Sequence, residues 1–194
     1  MDLLRHGEPL GGKRFRGQTD DPLSEFGWRQ MWDAVGGTTA PWQHIVSSPL
    51  QRCSAFAQAV ADKHQLSLRM EPRFKEIRFG EWEGFTPEEI QERDSERYRR
   101  YREDPAAFMP AGAEPMSEFV ARVIQGWESL LTEQQGRQVL VVCHAGVIRA
   151  VLGQVLGMTP EMLFRIQVDY ASISRLKVSD HQPPSLVFHG ASLP

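Results

Sequence analysis

The sequence predicts an α/β fold, with a three-layer α/β/α sandwich around a mostly parallel sheet. Short apolar, strand-like runs alternate along the chain with segments of helical periodicity, which is the pattern of βαβ units. The run 139–142 is apolar throughout, as expected for a strand that helices cover on both faces. The chain has 194 residues, of which 41% are hydrophobic, so we expect one domain over 1–194 with a substantial core.

Composition argues against several classes of function. The 22 basic and 25 acidic residues give a net charge of −3, which disfavours a broad nucleic-acid or membrane surface but allows a local cationic pocket. Two cysteines do not make a disulfide scaffold. No apolar run approaches the roughly 20 residues of a membrane span, and the N-terminus lacks the regions of a signal peptide. We therefore expect a cytoplasmic monomer or homodimer without nucleic-acid or membrane partners.

The first strand-like run, Leu3-Leu4, leads directly into Arg5-His6-Gly7-Glu8. An irregular basic loop follows at 11–17. Ser24 or Asp21 then caps a helix, because both residue types favour that position. The apolar residues of this helix recur at helical spacing and predict a face that packs in the core. They are Trp28, Met31, Trp32 and Val35.

The second strand-like run, Ile45-Val46, leads into Ser47-Ser48. Ser48 is a good helix N-cap, and Pro49 suits the first helical position because its missing N–H costs nothing there. Arg52 then lies in the first turn of the helix. Since helical side chains lean toward their own N-terminus, Arg52 can reach back over the end of the strand.

A weaker strand at 67–70 precedes a loop at 74–84 that is both aromatic and acidic. Thr86 and Glu89 form a capping box that opens a helix. We expect a helical and loop excursion at about 76–115 that covers the functional site. The helix after it has an apolar stripe made of Phe119, Val120, Val123, Ile124, Trp127, Leu130 and Leu131.

The apolar run 139–142 ends near His144-Ala145-Gly146, where a helix begins at about Gly146 and continues to Gly157. We expect two final strands at 172–178 and 185–188, with a turn at Pro183-Pro184 between them. The residues from Gly190 are expected to form a frayed tail.

Polar residues follow three of the predicted strands at the point where each strand ends. They are His6, Ser47-Ser48 and His144. In open α/β sheets, ligands bind outside the carboxyl ends of the strands. We therefore expect these residues to meet at one edge of the sheet and to form the functional site.

Two histidines and two arginines at one point suit phosphoryl transfer. The transferring group spreads negative charge over three oxygens, and the planar guanidinium of Arg5 or Arg52 can bind it in a bidentate way. A helix that opens at Gly146 adds backbone N–H groups and a positive dipole end. A neutral imidazole can attack phosphorus, and neighbouring cations favour that neutral form.

Residue types alone leave two questions open. A leaving alkoxide needs a proton from a carboxylic acid, and the candidates are Glu8, Glu76, Glu81 and Glu83. A metal site formed by His6, His144, Glu8 and Asp21 is the other chemical possibility. The spacing of those residues matches no compact ligand motif, and two arginines would repel a cation, so we expect neither a metal nor another cofactor.

Taken together, these segments resemble the histidine phosphatase superfamily, which also contains the cofactor-dependent phosphoglycerate mutases. Each motif is weak alone, but they occur in the family's order over most of the chain. The matching pieces are Leu4-Arg5-His6-Gly7-Glu8, Pro22-Leu23-Ser24 with Gly27, Ser47-Ser48-Pro49-Leu50-Gln51-Arg52, Glu76 with Phe79-Gly80-Glu81-Trp82-Glu83-Gly84, and His144-Ala145-Gly146.

The resemblance implies a phosphoglycerate mutase-like fold and a metal-independent reaction. It implies that His6 is the phosphorylated nucleophile and that Arg5, Arg52 and His144 bind the phosphoryl group, together with the backbone N–H of Ala145. Glu76 stands at the family's acid position and would serve as proton donor and then as base. The substrate is then a small-molecule phosphomonoester.

Within the superfamily the chain looks most similar to the α-ribazole-5′-phosphate phosphatases of cobalamin nucleotide-loop assembly. The cues are Gly11-Gly12, Arg16-Gly17 with Asp20-Asp21, Ser-Ser-Pro-Leu-Gln-Arg-Cys over 47–53, and 104–115. A phosphoglycerate mutase-type phosphotransferase, a broad-specificity phosphatase and a non-catalytic phospho-ligand module are the alternatives.

One stretch departs from the common family pattern. Pro9 and Gly12 stand where many members have Thr and a phosphate-binding Asn. Lys13, Arg14 or Arg16 would then supply the contact, and Arg16 is our candidate.

Overall fold

The computed structural model describes residues 1–36, 41–179 and 181–191. Within them the strands form one six-stranded sheet in the order β3-β2-β4-β1-β5-β6. The first four strands run parallel, whereas β5 and β6 are antiparallel. The strands are Asp2–Arg5 (β1), His44–Ser47 (β2), Ser67–Met70 (β3), Val139–Cys143 (β4), Ile173–Ser179 (β5) and Gln182–Ala191 (β6).

Helices cover both faces of this sheet, which confirms the predicted three-layer α/β/α sandwich. The α-helices are Glu25–Val35 (α1), Gln51–His64 (α2), Pro87–Arg93 (α3), Ser95–Glu103 (α4), Met116–Glu133 (α5) and Ala145–Leu156 (α6). Short 3₁₀ helices occupy Pro72–Phe74, Gly80–Trp82 and Pro160–Arg165. In the described parts of the chain, no helix combines the length and the apolar character needed to cross a membrane.

The strands alternate their side chains between two hydrophobic cores, because successive residues of a strand point to opposite faces. Leu3 and Val141 join a core with α5 and α6. Leu4 and Val142 join the opposite core with α1 and α2. All four side chains are almost fully buried. The continuously apolar sequence of β4 therefore reflects a strand that is covered on both faces.

Most of the predicted helix ends are confirmed. Ser24 is the N-cap of α1, and its side chain accepts a hydrogen bond from the Gly27 N–H. The Thr86–Glu89 capping box is present with both of its reciprocal hydrogen bonds. Gly157 ends α6 in the left-handed conformation, with φ of 66°.

The start of α2 differs from the prediction. The helix begins at Gln51 rather than at Pro49, and Ser48 is not its N-cap. The Ser48 hydroxyl lies 2.8 Å from Nε2 of His144, and it accepts the N–H of Leu50, ahead of the first helical residue, at 3.3 Å. The carboxylate of Asp20 instead accepts the Gln51 N–H at 2.7 Å, so a residue from another loop satisfies the first turn.

The last strand corrects two further predictions. Pro183 and Pro184 lie within β6 rather than in a turn, and Gly190 belongs to the same strand, where Ala191 pairs with Ile173. Because β6 is an edge strand, a proline can sit in it without removing a sheet hydrogen bond. The register shifts near 177–179 are consistent with that placement. Residues 192–194 of the expected frayed tail lie outside the described residues.

The loop that leaves β1 packs directly against the first turn of α1. A Cβ on Gly7 would collide with the backbone of Gly27, and a Cβ on Gly27 would collide with the carbonyl of Glu8. Ser24 closes the same contact, since its N–H and its hydroxyl both donate to the Glu8 carbonyl, at 2.9 and 3.0 Å. Two glycines thus allow α1 to hold the backbone just after His6.

The substitution Gly27→Ala should destabilise the protein by about 1–3 kcal/mol, because the new methyl group meets backbone atoms that have no room to move. Alanine would otherwise favour a helix by up to about 1 kcal/mol, so the sign of the effect is informative. Urea unfolding measures it. Arg29→Ala, on an exposed position of the same helix, should stay within about 0.5 kcal/mol of the parent. A stabilised Gly27→Ala protein would contradict the packing.

Candidate active site

Three strand ends meet because β4 lies between β2 and β1 in parallel register. Arg5 pairs with Cys143, and Ser47 pairs with Val142. The ladders continue one residue further, since the His6 N–H donates to the Cys143 carbonyl at 3.0 Å and the Ser48 N–H donates to the Val142 carbonyl at 2.9 Å. The structure therefore brings His6, Ser48 and His144 together at the carboxyl edge of the sheet.

His6 is buried, with an exposure of 6%. Its Nδ1 lies 2.7 Å from the Gly7 carbonyl oxygen. Because a carbonyl only accepts, Nδ1 must carry the hydrogen, and in the neutral ring Nε2 then holds a free lone pair. The rings of His144 and Tyr170 lie nearby, with centroids 5.2 and 5.7 Å from that of His6.

His144 is fully buried at the point where β4 leads into α6. Its Nε2 lies 2.8 Å from the Ser48 hydroxyl oxygen. The Cys53 sulfur is 3.6 Å from the same nitrogen, and Cys53 itself is packed in the core. These contacts fix the imidazole edge-on to the ring of His6.

Arg5 and Arg52 are both held by backbone carbonyls. Arg5 donates Nη1 to the Val168 carbonyl at 2.6 Å, and its guanidinium carbon lies 3.9 Å from the centre of the Tyr170 ring. Arg52 is 1% exposed. It donates Nη1 to the Thr19 carbonyl and Nη2 to the Gly17 carbonyl, each at 2.7 Å.

Each of these arginines keeps one buried donor without a partner. The Nε atoms of Arg5 and Arg52 are inaccessible to solvent and have no hydrogen-bond partner within the described residues. A buried N–H without a partner is costly, and a bound ligand is one way to satisfy it; Arg69 of β3 also carries such donors. Two positively charged donors of this kind suit an anion with several oxygen atoms, such as a phosphoryl group.

The surroundings keep both histidines neutral. Burial lowers the pKa of His6 well below its usual value, and the charges of Arg5 and Arg52 lower it further. Burial also lowers the pKa of His144 well below the usual value, with Arg52 as its largest charged contributor. A neutral imidazole is the nucleophilic form.

The four candidate carboxylates have different partners. Glu76 accepts the Ile77 N–H at 3.0 Å through Oε1 and the Gly146 N–H at 3.1 Å through Oε2. This places it at the N-terminus of α6, beside His144. Glu81 forms an exposed ion pair with Arg97.

Glu83 and Glu8 have other surroundings. Glu83 accepts four hydrogen bonds, from the Gln18, Thr19 and Phe79 N–H groups and the Thr19 hydroxyl, at 2.7–3.1 Å. The side chain of Glu8 is half-buried, and its backbone contacts α1. Glu76 is thus the candidate that shares the N-terminus of α6 with His144.

The N-terminus of α6 is shared between the expected anion site and Glu76. The Gly146 N–H is committed to the Glu76 carboxylate. The N–H of Ala145 belongs to the first helical residue, whose N–H has no acceptor within the helix. Ala145 therefore stays the candidate backbone donor at this position.

The two arginines of the basic loop have different partners. Arg14 donates to the Gly84 carbonyl at 2.7 Å and reaches Glu89, so it links the loop to α3. Arg16 is buried and is bound to Asp21 at 2.9 Å and to the Leu10 carbonyl at 2.7 Å. Its charge still contributes, after burial, Arg5 and Arg52, to the lowered pKa of His6. Arg16 is thus the loop cation whose charge acts on the site.

The residues proposed as an alternative metal site do not assemble. Within the described ranges, no group of three or more His, Cys, Asp or Glu side chains is arranged to hold a metal ion. Asp21 is paired with Arg16 instead.

Sequence reasoning missed several residues that border the site. Tyr170 lies under the guanidinium of Arg5, and Arg149 lines a crevice beside Glu76 together with Phe79, Phe119 and Phe164. Neither Tyr170 nor Arg149 belongs to a motif that the chemistry singles out. Tyr170 lies in the segment 168–172, which leads into β5. Because β5 lies beside β1, this segment comes next to Arg5, and that neighbourhood is what would locate Tyr170.

A model of the histidine phosphatase superfamily, branch 1, matches residues 1–190. The chain belongs to this superfamily. The match covers the three strand ends and the segment that carries Glu76.

Similar proteins include curated relatives and solved structures. The chain is 36% identical over 180 residues to the bifunctional protein Rv2228c of Mycobacterium tuberculosis, covering 89% of this chain but only 48% of that protein. It thus spans about half the length of this relative. It is 32% identical over 182 residues to a Yersinia pestis protein described as a probable phosphoglycerate mutase, GpmB, covering 90% of this chain and 82% of the relative.

Two superfamily structures are similar over nearly the whole chain. A mycobacterial glucosyl-3-phosphoglycerate phosphatase matches with a TM-score of 0.85 and 27% identity, covering 99% of this chain and 98% of that one. A protein of Escherichia coli K-12 described only as a proposed alpha-ribazole-5′-P phosphatase matches with a TM-score of 0.83 and 26% identity, covering 98% of this chain and 95% of that one. The described residues therefore share one fold with both structures.

The buried neutral state of His6 predicts how stability depends on pH. In the unfolded chain a histidine takes up a proton near pH 6.5, whereas folded His6 does so only at a lower pH. The unfolded state therefore binds more protons below about pH 6.5, and stability falls there by about 1.4 kcal/mol per pH unit for this group. Above that pH the group contributes nothing to the slope.

The substitution His6→Gln should remove this contribution. On going from about pH 6.5 to pH 5.5, urea unfolding should give a loss of stability that is smaller than that of the parent by about 1 kcal/mol, because the unfolded histidine is only half protonated at pH 6.5. Comparing the two proteins cancels the groups that they share, such as His144. Equal slopes would show that His6 titrates in the folded protein as it does in the unfolded chain.

Proposed function

We propose that this protein is a phosphomonoesterase that acts through a phosphohistidine at His6. The observation that carries the proposal is the pair of buried, unpartnered Nε donors of Arg5 and Arg52 beside a neutral imidazole. The superfamily match and the phosphatases among the similar structures support the same class of reaction.

The first chemical step forms a bond between Nε2 of His6 and phosphorus. The bond from phosphorus to the leaving oxygen breaks, and that oxygen takes a proton from the carboxylic acid of Glu76 to leave as an alcohol. Arg5, Arg52 and His144 stabilise the charge on the other phosphoryl oxygens, with the Ala145 N–H as a backbone donor. The Nδ1–H bond to the Gly7 carbonyl stabilises the positive ring that results.

The second step hydrolyses the phosphohistidine. Glu76, now ionised, takes a proton from water as the water oxygen attacks phosphorus. The N–P bond breaks, and inorganic phosphate leaves with His6 neutral again. Glu76 has regained its proton, so the net reaction consumes one water for each phosphomonoester and needs no other reactant.

The substrate that we favour is α-ribazole 5′-phosphate, which would place the protein in cobalamin nucleotide-loop assembly. The motifs around 11–21, 47–53 and 104–115 support it, as does the similarity to the Escherichia coli protein described as an alpha-ribazole-5′-P phosphatase. The crevice beside Glu76 has aromatic walls from Phe79 and Phe164. At about 30 Å³ this crevice would have to widen before an aromatic base, carried by the ribose of the leaving group, could pack against such walls.

Other aromatic side chains of the excursion are not available for that contact. Trp82 and Tyr101 are buried in a small core with Phe15. They stabilise the excursion, and we propose that the excursion at about 76–115 covers the site.

A phosphoglycerate mutase-type phosphotransferase is the second candidate, because the chain is 32% identical to the relative described as a probable phosphoglycerate mutase. Such an enzyme would have to keep the phosphohistidine intact long enough to return the phosphoryl group to a bound product. The two candidates share His6 chemistry and differ in the lifetime of the intermediate.

The nucleophile can be tested directly. The substitution His6→Ala should lower phosphatase activity by at least about 10³-fold, because it removes covalent catalysis. The protein is mixed with ³²P-labelled substrate, the reaction is quenched rapidly, and the stability of the protein-bound label in acid and in base is compared. The parent protein should show the acid-labile, base-stable label of a phosphohistidine. His64→Ala, at the end of α2, is the control and should keep both label and activity. A His6→Ala protein that turns over at the parental rate would exclude the mechanism.

A substrate panel separates the candidate functions. We expect kcat/KM for α-ribazole 5′-phosphate to exceed that for 3-phosphoglycerate and for ribose 5-phosphate by at least about tenfold, a difference of about 1.4 kcal/mol in transition-state binding. The rate of phosphate release should also exceed the rate of 3-phosphoglycerate isomerisation. Faster isomerisation would favour the mutase, and equal kcat/KM values would favour a broad-specificity phosphatase.

A further inference from the structure

The segment that carries Glu76 is held from behind by one arginine of α5. Arg122 donates Nη1 to the Arg73 and Lys75 carbonyls, at 2.7 and 2.9 Å. Its Nη2 donates to the carbonyl of Glu76 itself at 3.1 Å. A single planar guanidinium therefore binds three carbonyls within four consecutive residues of a loop.

Glu114 completes this arrangement. Its carboxylate accepts Nε and Nη2 of Arg122 at 2.6 and 2.8 Å, which is a bidentate pair, and Glu114 is 8% exposed. It also lies 3.4 Å from the Arg78 N–H, two residues beyond Glu76. We call Arg122 and Glu114 the clamp. Together they contact the backbone on both sides of Glu76.

The hydrogen bonds of the clamp reach the active site through Glu76, while the charge of Arg122 also acts on His144. On the side away from the clamp, the Glu76 carboxylate accepts the Ile77 and Gly146 N–H groups. The carboxylate thus has a fixed place beside His144 only while the backbone at 73–78 stays in place. The Glu114–Arg122 pair lies outside the set of residues that would touch a phosphoryl group.

We propose that Arg122, oriented by Glu114, is a positioning residue that sets the place of the Glu76 carboxylate relative to the leaving oxygen. This inference rests on the proposed function, in which Glu76 gives its proton to that oxygen. Arg122 suits the task because its rigid fork presents donors in several directions, whereas lysine offers one ammonium on a flexible stem. Misplacing a catalytic group by about 1 Å can cost about 10²-fold in rate.

The dependence on the leaving group distinguishes positioning from general structural support. An alkyl phosphate expels a strongly basic alkoxide and needs the proton from Glu76, whereas p-nitrophenyl phosphate expels a weakly basic phenolate and does not. Since kcat/KM covers only the steps up to alcohol release, hydrolysis of the phosphohistidine does not enter the comparison. The ratio of the two kcat/KM values is also independent of how much enzyme is folded.

The experiment measures this ratio, p-nitrophenyl phosphate over ribose 5-phosphate, for the parent, Glu76→Gln, Arg122→Lys and Glu114→Gln. We expect Glu76→Gln to raise the ratio by about 10²–10⁴-fold, the range of general acid catalysis. Arg122→Lys should raise it by at least about tenfold and Glu114→Gln by less, both through a loss of activity on ribose 5-phosphate. The pH profile of kcat/KM for ribose 5-phosphate should also change in Arg122→Lys and in Glu114→Gln.

Arg175→Lys is the matched control. Arg175 also forms a bidentate pair with a buried carboxylate, that of Asp2, at 2.7 and 2.9 Å. That pair lies at the start of β1, at the end of the strand opposite His6. We expect Arg175→Lys to lower stability without changing the substrate ratio.

The outcomes distinguish the positioning role of Arg122 from the proton-donor role of Glu76. A raised ratio in Glu76→Gln and in Arg122→Lys, with none in Arg175→Lys, supports the clamp. A raised ratio in Glu76→Gln together with an unchanged ratio in Arg122→Lys would falsify the positioning role and leave the proposed function standing. An unchanged ratio in Glu76→Gln would overturn Glu76 as the proton donor, and the proposal for Arg122 with it.

Discussion

The candidate site depends on two arginines whose charges are oriented but not neutralised. Arg5 and Arg52 donate to backbone carbonyls, and within the described residues neither forms an ion pair with a carboxylate. A carbonyl fixes the guanidinium without cancelling its charge. The full positive charge therefore acts on the strand ends, where it lowers the pKa values of His6 and His144 in addition to the effect of burial. Carboxylate partners would remove both the attraction for an anion and the pressure that keeps the nucleophile neutral.

This arrangement makes the site depend on loops that are distant in sequence. The carbonyls that bind Arg52 belong to the loop at 17–19. Three hydrogen bonds from that loop go to the Glu83 carboxylate, which also accepts the Phe79 N–H. The same part of the chain that carries Glu76 therefore also supports Arg52, the arginine proposed to bind phosphate. A change in the excursion would reach the surroundings of His6, the proposed nucleophile, through Glu83, and those of Glu76, the proposed proton donor, through Arg122. Such a coupling follows from contacts alone, without any movement of the sheet.

The fold and the meeting of strand ends could be predicted from the sequence because both follow from side-chain patterns. The apolar run of β4 and the polar residues after three strands place His6, Ser48 and His144 correctly. The partners of the arginines could not be predicted, because a backbone carbonyl leaves no signature in the sequence. The start of α2 was missed because Asp20, a residue of another loop, supplies the cap. Pro183-Pro184 was predicted as a turn because local rules cannot reveal that β6 is an edge strand.

The N-terminus of α6 shows how one structural element can serve two chemical groups of the same sign. Its positive end favours anions, and the sequence alone assigned that end to phosphate. In the structure the Gly146 N–H binds the Glu76 carboxylate, and no arginine of the described chain forms an ion pair with Glu76. The Ile77 and Gly146 N–H groups fix the position of the carboxylate through two hydrogen bonds. The division of α6 between Ala145 and Gly146 therefore places the proposed acid beside the proposed phosphoryl site without an ion pair to its arginines.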